Sequence, residues 1–332
     1  MAEERVTGEG SAVPAARAAP AAQDEMLFTF AQYDEQAAER TGYSDYSYWG
    51  STLRVFLKNK VAVALLVIIV TLLAFTVIQP ILPGQKSPTR IYTDPGTGIQ
   101  LRNQTPNREY WFGTNSIGQD LWSRIWSGTR TSLLIGIFVG IWEVFFGIAV
   151  GALWGYVRQL DLAITEIYNI INNIPTTILL MLLTYIMRPS FQTMVIAMCA
   201  TGWLGMARFV RNQIIIIRDR EYNLASRCLG TPTARIIMKN LLPYLVSVIV
   251  LRMALAIPGT IGWEVFLTYI GLGLPLHIPS LGNLVNEGRQ AMMSPSLRYQ
   301  LIFPAAVLSV ITISFYVMGN AFSDAADPRN HF

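Results

Sequence analysis

A long run of apolar residues without a charge is the feature that most constrains this chain. Residues Val61 to Leu82 carry no charged side chain, and the run ends at Pro83 and Gly84. A helix needs roughly 20 apolar residues to cross a hydrocarbon core of about 30 Å, because in lipid every backbone amide must be satisfied within the helix. The run therefore predicts a membrane-spanning helix.

Composition extends this conclusion to the whole chain. Of its 332 residues, 52% are hydrophobic and only 14% are charged, whereas an average soluble domain carries about 25% charged residues. Disordered chains, coiled coils and nucleic-acid binders need a higher charge density or a clustered basic face, so these classes are disfavoured. The only histidines are His277 and His331, and Cys199 and Cys228 are far apart. This inventory argues against a zinc site, a disulfide and catalytic triads that need a histidine.

Five further segments have the length and hydropathy of a span. They are Ser132 to Tyr156, Leu162 to Met187, Phe191 to Val210, Tyr244 to about Trp263, and Leu301 to Phe322. The predicted fold class is an all-α, polytopic membrane protein with six transmembrane helices. Residues 46–60 mix aromatic and basic side chains and predict an interfacial helix before the first span, with a solvated basic linker as the alternative. Residues 1–45 are predicted to form a flexible tail.

Basic residues near the span ends set the predicted orientation. The loop between spans four and five is strongly basic and is predicted to be cytoplasmic; its cations are Arg208, Arg211, Arg218, Arg220, Arg227, Arg235 and Lys239. Both termini, residues 1–45 and 324–332, are then cytoplasmic. The long loop 83–131 must lie outside, although this conflicts with its own cations: Lys86, Arg90, Arg102, Arg108, Arg124 and Arg130.

The cytoplasmic loop also has the local pattern of two short helices. Gly230 is placed to end the first helix in the left-handed conformation, Thr231 to cap the second, and Pro232 to occupy its first turn. We expect both helices to bury an apolar face, formed by Leu224, Cys228 and Leu229 in the first and by Ile236, Ile237 and Leu241 in the second. Such a pair either covers the end of the bundle or docks onto another protein.

At this loop the sequence resembles a known family. The order Glu221-Tyr222, small residues, Gly230 and a closing Leu242-Pro243 looks like the coupling loop of ABC-importer membrane subunits. Further stretches are similar to those of the C-type permeases for oligopeptides, dipeptides and nickel: Trp111 to Leu121, Tyr269 to Gly273, Pro279 to Asn283, and Asp324 to Arg329. Several positions depart from the family pattern, namely Leu224 and Ser226 in the loop, Asn115 and Gln119 in the first stretch, and Glu166 and Asn169 in span three.

The resemblance implies a domain order and a set of partners. Residues 61–130 would form the first span and an extracytoplasmic loop, and residues 131–323 the transmembrane core with its coupling loop at 218–243. A second permease, one or two cytoplasmic P-loop ATPases and an extracytoplasmic peptide-binding protein would complete the importer. The residues implied in ATPase coupling are Glu221, Tyr222, Ala225, Ser226, Gly230, Arg235 and Pro243.

Two other groups of residues are candidates for contact with the solute or its carrier. An acid at mid-membrane costs about 3 kcal/mol on insertion scales, so Glu143 and Glu166 either line the translocation path, have a hydrogen-bonded structural role, or lie nearer the interface. Asn169 and Asn172 are path candidates or interhelical contacts. The outer loop is either a patch for the binding protein or a simple cover, and its candidate contacts are Trp111, Gly113, Thr114, Gly118 and Asp120.

Helix packing and catalytic inventory complete the prediction. Gly136 and Gly140, then Gly147, Gly151 and Gly155, recur every four residues in span two and predict close helix packing.

The chain has no phosphate loop of the G-x-x-x-x-G-K-[ST] type, so we expect no enzyme activity and no cofactor here, with ATP and Mg on the partner subunits.

Peptide import is therefore the predicted function. The alternatives are a permease for nickel or another small solute, a channel or secondary transporter without ATPase, and a membrane scaffold whose basic loop binds anionic lipid.

Overall fold

The computed structural model describes residues 48–326, and the regular structure within them is helical. In chain order the helices are α1 (Tyr48–Lys58), α2 (Lys60–Ile78), α3 (Leu121–Tyr156), α4 (Arg158–Asn172), α5 (Thr176–Met187), α6 (Phe191–Arg218), α7 (Glu221–Cys228), α8 (Thr233–Ile236), α9 (Val246–Tyr269), α10 (Leu281–Ala291) and α11 (Tyr299–Ala326). Short 3₁₀ turns follow α2 and precede α11, and a π turn and a 3₁₀ turn join α8 to α9.

Five helical segments are long and apolar enough to cross a membrane, and the number is six if one bent pair counts as a span. The five are Lys60–Ile81, Leu121–Tyr156, Phe191–Arg218, Thr233–Tyr269 and Tyr299–Ala326. An all-α polytopic membrane protein is confirmed. The third predicted segment, however, is not one continuous helix, because α4 and α5 meet at 75°. Pro175 lies at the break, where it lacks an amide hydrogen and disfavours a helical conformation in the preceding residue.

The glycine row of α3 brings this helix against α6 with the backbones nearly touching. The two helices run parallel: a Cβ atom at Gly147 would lie 2.5 Å from Met206 Cβ, and one at Gly155 would lie 2.9 Å from the Arg211 carbonyl oxygen. Between them, a Cβ at Gly151 would collide with the Ala207 carbonyl. The predicted close packing of this span is confirmed, and small residues are the only ones that fit.

The other helices pack around this pair. Gly136 and Gly140 of α3 face Ile257 of α9, which runs antiparallel to α3. Helix α11 packs on α9 and on α2, so that Ile69 of α2 shares an apolar cluster with Phe315 of α11. The core is therefore a bundle of α3, α6, α9 and α11, with α2 at its side.

The ends of the described chain differ from the predicted boundaries by a few residues. Helix α1 forms within the predicted interfacial segment, and its Phe56 is buried against Ala321 and Ala325 of α11. Asn59 separates α1 from α2, and its side chain caps α2 by accepting a hydrogen bond from the Ala62 amide at 3.1 Å. Helix α11 continues to Ala326, so the predicted tail 324–332 begins inside a helix. Residues 1–47 and 327–332, with the predicted N-terminal tail, lie outside the described residues.

Several cations of the long loop 83–131 are used within the fold. Helix α3 begins at Leu121, so the last residues of this loop are helical. Buried Arg124 pairs with Glu287 of α10 at 2.6 Å. Arg130 donates to the Thr76 carbonyl at 2.9 Å, and the Lys86 ammonium lies 3.1 Å from the centroid of the Tyr110 ring. These contacts give a physical reason for basic residues that the orientation rule alone leaves unexplained.

Substitution Gly151→Ala tests the α3–α6 contact. The added methyl group would collide with backbone of α6, so we expect the variant to lose about 1–3 kcal/mol of unfolding free energy. The purified protein in micelles is unfolded with increasing concentrations of a denaturing detergent, and its helix content is monitored by circular dichroism. Gly259→Ala in α9 is the matched control, because no atom lies within 4 Å of its Cβ position. Equal stability of the two variants would contradict this account of the packing.

Candidate functional site

The loop between α6 and α9 begins with the short helix α7, which ends in a well-formed cap. Gly230 has φ +76°, its amide donates to the Arg227 carbonyl at 2.9 Å, and the Thr231 amide donates to the Ser226 carbonyl at 3.0 Å. This pair of hydrogen bonds is the Schellman motif, in which the left-handed residue favours glycine. The predicted role of Gly230 as the cap residue is confirmed.

The second half of the loop starts differently from the prediction. Helix α8 begins at Thr233 with Pro232 as its cap residue, and the Pro232 carbonyl accepts from the Arg235 amide at 3.0 Å. Thr231 therefore does not cap this helix, and Pro232 lies one position before its first turn. The chain then passes through a π turn, Ile237–Leu241, and a 3₁₀ turn that contains Pro243. Proline has no amide hydrogen, so one hydrogen bond of a regular α-helix is missing at this position.

One apolar face of the loop is buried and the other is not. Ile236, Ile237 and Leu241 pack against Val210 and Ile214 of α6, as predicted. On α7 the prediction of a buried face is wrong: Leu224 is 44% exposed and Leu229 is 85% exposed. Exposed Tyr222 stacks near Tyr244 at the other end of the loop, with ring centroids 6.4 Å apart. Apolar and aromatic side chains on α7 are thus left uncovered in this chain.

Asp219 joins the loop to three arginines. Its carboxylate lies 3.2 Å from Arg218, 3.4 Å from Arg158 of α4 and 3.5 Å from Arg227 of α7. Desolvation of the carboxyl opposes its ionisation, but the arginines outweigh it and lower the pKa of Asp219 below its ordinary value. The carboxylate therefore stays charged at neutral pH and connects α4, α6 and α7.

The same arginines also reach the end of α3. Arg218 donates to the Gly155 carbonyl at 2.8 Å. Arg227 donates to the Tyr156 hydroxyl at 3.1 Å and lies over the Tyr156 ring. The loop is therefore attached to both helices of the close-packed pair.

An asparagine pair joins the two halves of the loop. Buried Asn223 of α7 donates to the Ile217 carbonyl at 2.8 Å. Asn240 donates to the Asn223 side-chain oxygen at 3.2 Å and to the Ser226 hydroxyl at 3.3 Å. Sequence reasoning missed both asparagines as functional residues. The signal available for Asn223 was an uncharged polar side chain in the first turn of a short helix, whereas Asn240 lies in the π turn outside α7.

The predicted coupling residues come together at this end of the bundle. The structure exposes Glu221, Tyr222, Ala225, Gly230, Arg235 and Pro243, and leaves Ser226 half-buried. All seven lie in the loop between α6 and α9. Contact with an ATPase stays a prediction for each of them.

The four predicted path residues are not brought together. Glu143 lines a cavity of about 210 Å³ between α3, α6 and α9. Glu166, Asn169 and Asn172 are exposed on α4, and Asn172 accepts a hydrogen bond from the Tyr168 hydroxyl at 2.9 Å. Within the described chain, only Glu143 of the four therefore lines this cavity, which is partly open.

The stretch Trp111 to Asp120 is a folded patch in which most predicted contact residues are buried. Trp111 is exposed, whereas Gly113, Thr114, Gly118 and Asp120 are buried. The Asp120 carboxylate caps α3 by accepting from the Ser123 amide at 2.9 Å, and the Thr114 carbonyl accepts from the Tyr299 hydroxyl at 2.8 Å. These four residues hold the patch in shape, and Trp111 is the one that offers a surface.

Two departures from the family pattern are in contact with each other. Asn115 donates to Gln119 at 3.1 Å, where the family pattern has an acid and an arginine. Asn115 also reaches Glu287, and Gln119 accepts from Arg124. A neutral amide pair thus occupies these two positions, and Glu287 and Arg124 provide the charges beside it.

Comparison with known proteins places this geometry in a family. Residues 144–331 match the model of the binding-protein-dependent transport system inner membrane component. Residues 47–106 match the N-terminal transmembrane domain of oligopeptide transport permease C. The chain belongs to this permease family. The alternatives of a channel, a secondary transporter and a scaffold are thereby set aside, and the permease is a multi-pass membrane subunit of an ABC transporter.

Curated relatives span nearly the whole permease. It is 38% identical to the oligopeptide transport system permease protein AmiD of Streptococcus pneumoniae, over 93% of this chain and 98% of that protein. It is 33% identical to the dipeptide transport system permease protein DppC of Bacillus subtilis, over 91% of this chain and 92% of that protein. Among solved structures, a chain of the MetNI methionine ABC transporter aligns with a TM-score of 0.49 and 21% identity, over 61% of this chain and 96% of that chain.

Substitution Gly230→Val tests the cap of α7. Its φ of +76° is costly for a β-branched residue, by about 1–2 kcal/mol. We expect amides of residues 221–231 to exchange with deuterium about tenfold faster than in the wild type, measured by mass spectrometry of the purified permease. Gly230→Asn is the control, because asparagine tolerates the left-handed region. Unchanged exchange in the valine variant would show that the cap does not hold the helix.

Proposed function

We propose that this permease pairs with a second permease to form the path through which an ABC importer takes up oligopeptides or dipeptides. Separate subunits bind ATP and Mg and dock on the loop between α6 and α9, which faces the cytoplasm together with both termini. An extracytoplasmic binding protein delivers the peptide. The names of the curated relatives, which are oligopeptide and dipeptide permeases, support this choice of solute over nickel.

The uncovered face of α7 carries the proposal. Leu229, the residue that follows α7, exposes 85% of its surface, and Tyr222 and Leu224 of α7 are each 44% exposed. The cap, the asparagine pair and the arginine contacts attach this helix to the bundle. An apolar surface that the chain itself leaves open favours docking into a groove of another protein. Burying one such leucine contributes about 1.5–3 kcal/mol. This is enough to make the side chain an anchor of the contact.

The attachment of the loop supports a mechanism for coupling. Arg227 connects α7 to the end of α3, Arg218 connects the end of α6 to the same place, and Asp219 joins α4, α6 and α7. When the ATPases close, a movement of α7 acts on α3, α4 and α6 together, because these contacts reach all three helices. The importer then shifts between inward-open and outward-open states, and the preference of the ATPases for one state sets the balance.

Substitution Leu229→Asp tests the docking surface. Loss of the apolar contact and burial of a carboxylate should weaken ATPase binding at least tenfold, measured by the ATPase retained on the tagged, detergent-purified permease pair. ATP-dependent uptake of tri-alanine by proteoliposomes with the binding protein should fall with it.

The matched control is Met293→Asp, because Met293 is equally exposed, at 85%, but lies between α10 and α11, away from α7. It should retain the ATPases. Full retention by the Leu229→Asp variant would remove the basis for the docking site, whereas wild-type complexes without tri-alanine uptake would remove the peptide assignment alone.

Exposed Cys228 provides a test of the orientation. A membrane-impermeant maleimide should label it in inside-out vesicles and not in intact spheroplasts, since the proposed loop faces the cytoplasm. Mass spectrometry of the labelled peptide identifies the site, and Cys228→Ser gives the background. Labelling of Cys228 in intact spheroplasts would reverse the proposed topology.

A further inference from the structure

An acid and a base line one cavity within the membrane-spanning bundle. Glu143 of α3 and Arg252 of α9 both border the space of about 210 Å³ described above, together with Gly202 and Met206 of α6. A single water needs about 10–15 Å³ of such a space, so this cavity is far larger than a hydration site. It is also smaller than a pocket for a whole drug-sized ligand, which occupies at least about 300 Å³.

The two charges are held apart rather than paired. Among the described residues, the Glu143 carboxylate has no hydrogen bond and no ion pair, and it packs on Gly202, where a Cβ atom would collide with it. The Arg252 guanidinium lies over the Phe209 ring of α6, 4.4 Å from the centroid. Glu143 and Arg252 thus each contact α6 separately. The Glu143 carboxylate, which can accept hydrogen bonds, and the Arg252 guanidinium, which can donate them, both line the cavity.

The cavity also lies where the loop can act on it. Its walls are α6 and α9, the two helices that enter and leave the loop of α7, and α3, whose end receives hydrogen bonds from Arg218 and Arg227. The cavity and the loop therefore share these helices. A structural ion pair would not need a space of this size or separate supports.

We propose that this cavity is a subsite for the charged ends of a zwitterionic peptide, with Glu143 binding the α-ammonium group and Arg252 the carboxylate. The inference rests on the proposed function and names the residues of this permease that bind the two termini of the peptide. Bilayer spans rarely carry unpaired ionisable side chains unless these face a water-filled or ligand-binding space. A solute that brings one charge of each sign satisfies both side chains at once.

Uptake ratios between matched peptides provide the test. Proteoliposomes with the complete importer take up tri-alanine, its C-terminal amide and its N-acetyl form, and each uptake rate is expressed relative to tri-alanine. The binding protein is the same in every assay, so its own preference divides out when a variant is compared with the wild type. A purely structural role would lower all three rates in proportion and leave the ratios unchanged.

We expect Arg252→Gln to lower tri-alanine uptake about tenfold while leaving uptake of the amide much less affected. Glu143→Gln should do the same for tri-alanine relative to the N-acetyl form. Gly202→Ala, which retains both charges but displaces the carboxylate, should shift the N-acetyl ratio in the same direction as Glu143→Gln. Gly262→Ala in α9, with no atom within 4 Å of its Cβ position, is the control.

Ratios that equal those of the wild type in both charge variants would overturn the subsite. The same holds if exchanging the charges, with Glu143→Arg and Arg252→Glu together, restores every rate to the wild-type value, because a simple ion pair would then explain the site. If a charge variant fails to assemble, the Gly202→Ala ratio decides. Uptake of tri-alanine by the wild-type importer is measured in the same experiment. Absence of that uptake would contradict the proposed function, whereas unchanged ratios would contradict only the subsite.

Discussion

The backbone contact between α3 and α6 is the interaction on which the rest of this permease depends. Helices in lipid gain nothing from the hydrophobic effect between them, so close van der Waals packing must hold them together. Gly147, Gly151 and Gly155 permit this approach. The contact also places the Gly155 carbonyl beside Arg218, so that the end of α3 can accept the hydrogen bond that attaches the loop.

The two ends of the bundle are fixed by different kinds of interaction. Away from the loop, fully buried Glu264 accepts hydrogen bonds from Ser132 at 2.9 Å and Ser280 at 2.7 Å, which joins α3, α9 and the start of α10. Breaking such a buried network is expensive, because each polar group would be left unsatisfied. At the loop, the ion pairs of Asp219 are partly exposed, and such pairs contribute little to stability. The loop end of the bundle is therefore held less tightly than the opposite end.

A continuous set of contacts leads from the uncovered face of α7 to the cavity of Glu143 and Arg252. The loop acts on α3 and α6 through Arg218, and the cavity lies between these helices and α9. Docking, coupling and the proposed subsite thus share the same three helices. Loss of close packing in α3 would disturb all of them together.

The sequence by itself determined what depends on length and on neighbouring residues. It predicted the apolar spans, the cap at Gly230 and the family motifs, since these follow from hydrogen bonds within a few residues and from the thickness of the membrane. Only the tertiary structure decided which faces are covered: it left Leu229 exposed, buried Asp120 and brought Glu143 and Arg252 to one cavity. It also set the 75° angle of the bend that Pro175 introduces in the third segment. Burial and pairing depend on segments far apart in the chain, and no local pattern specifies which of them will meet.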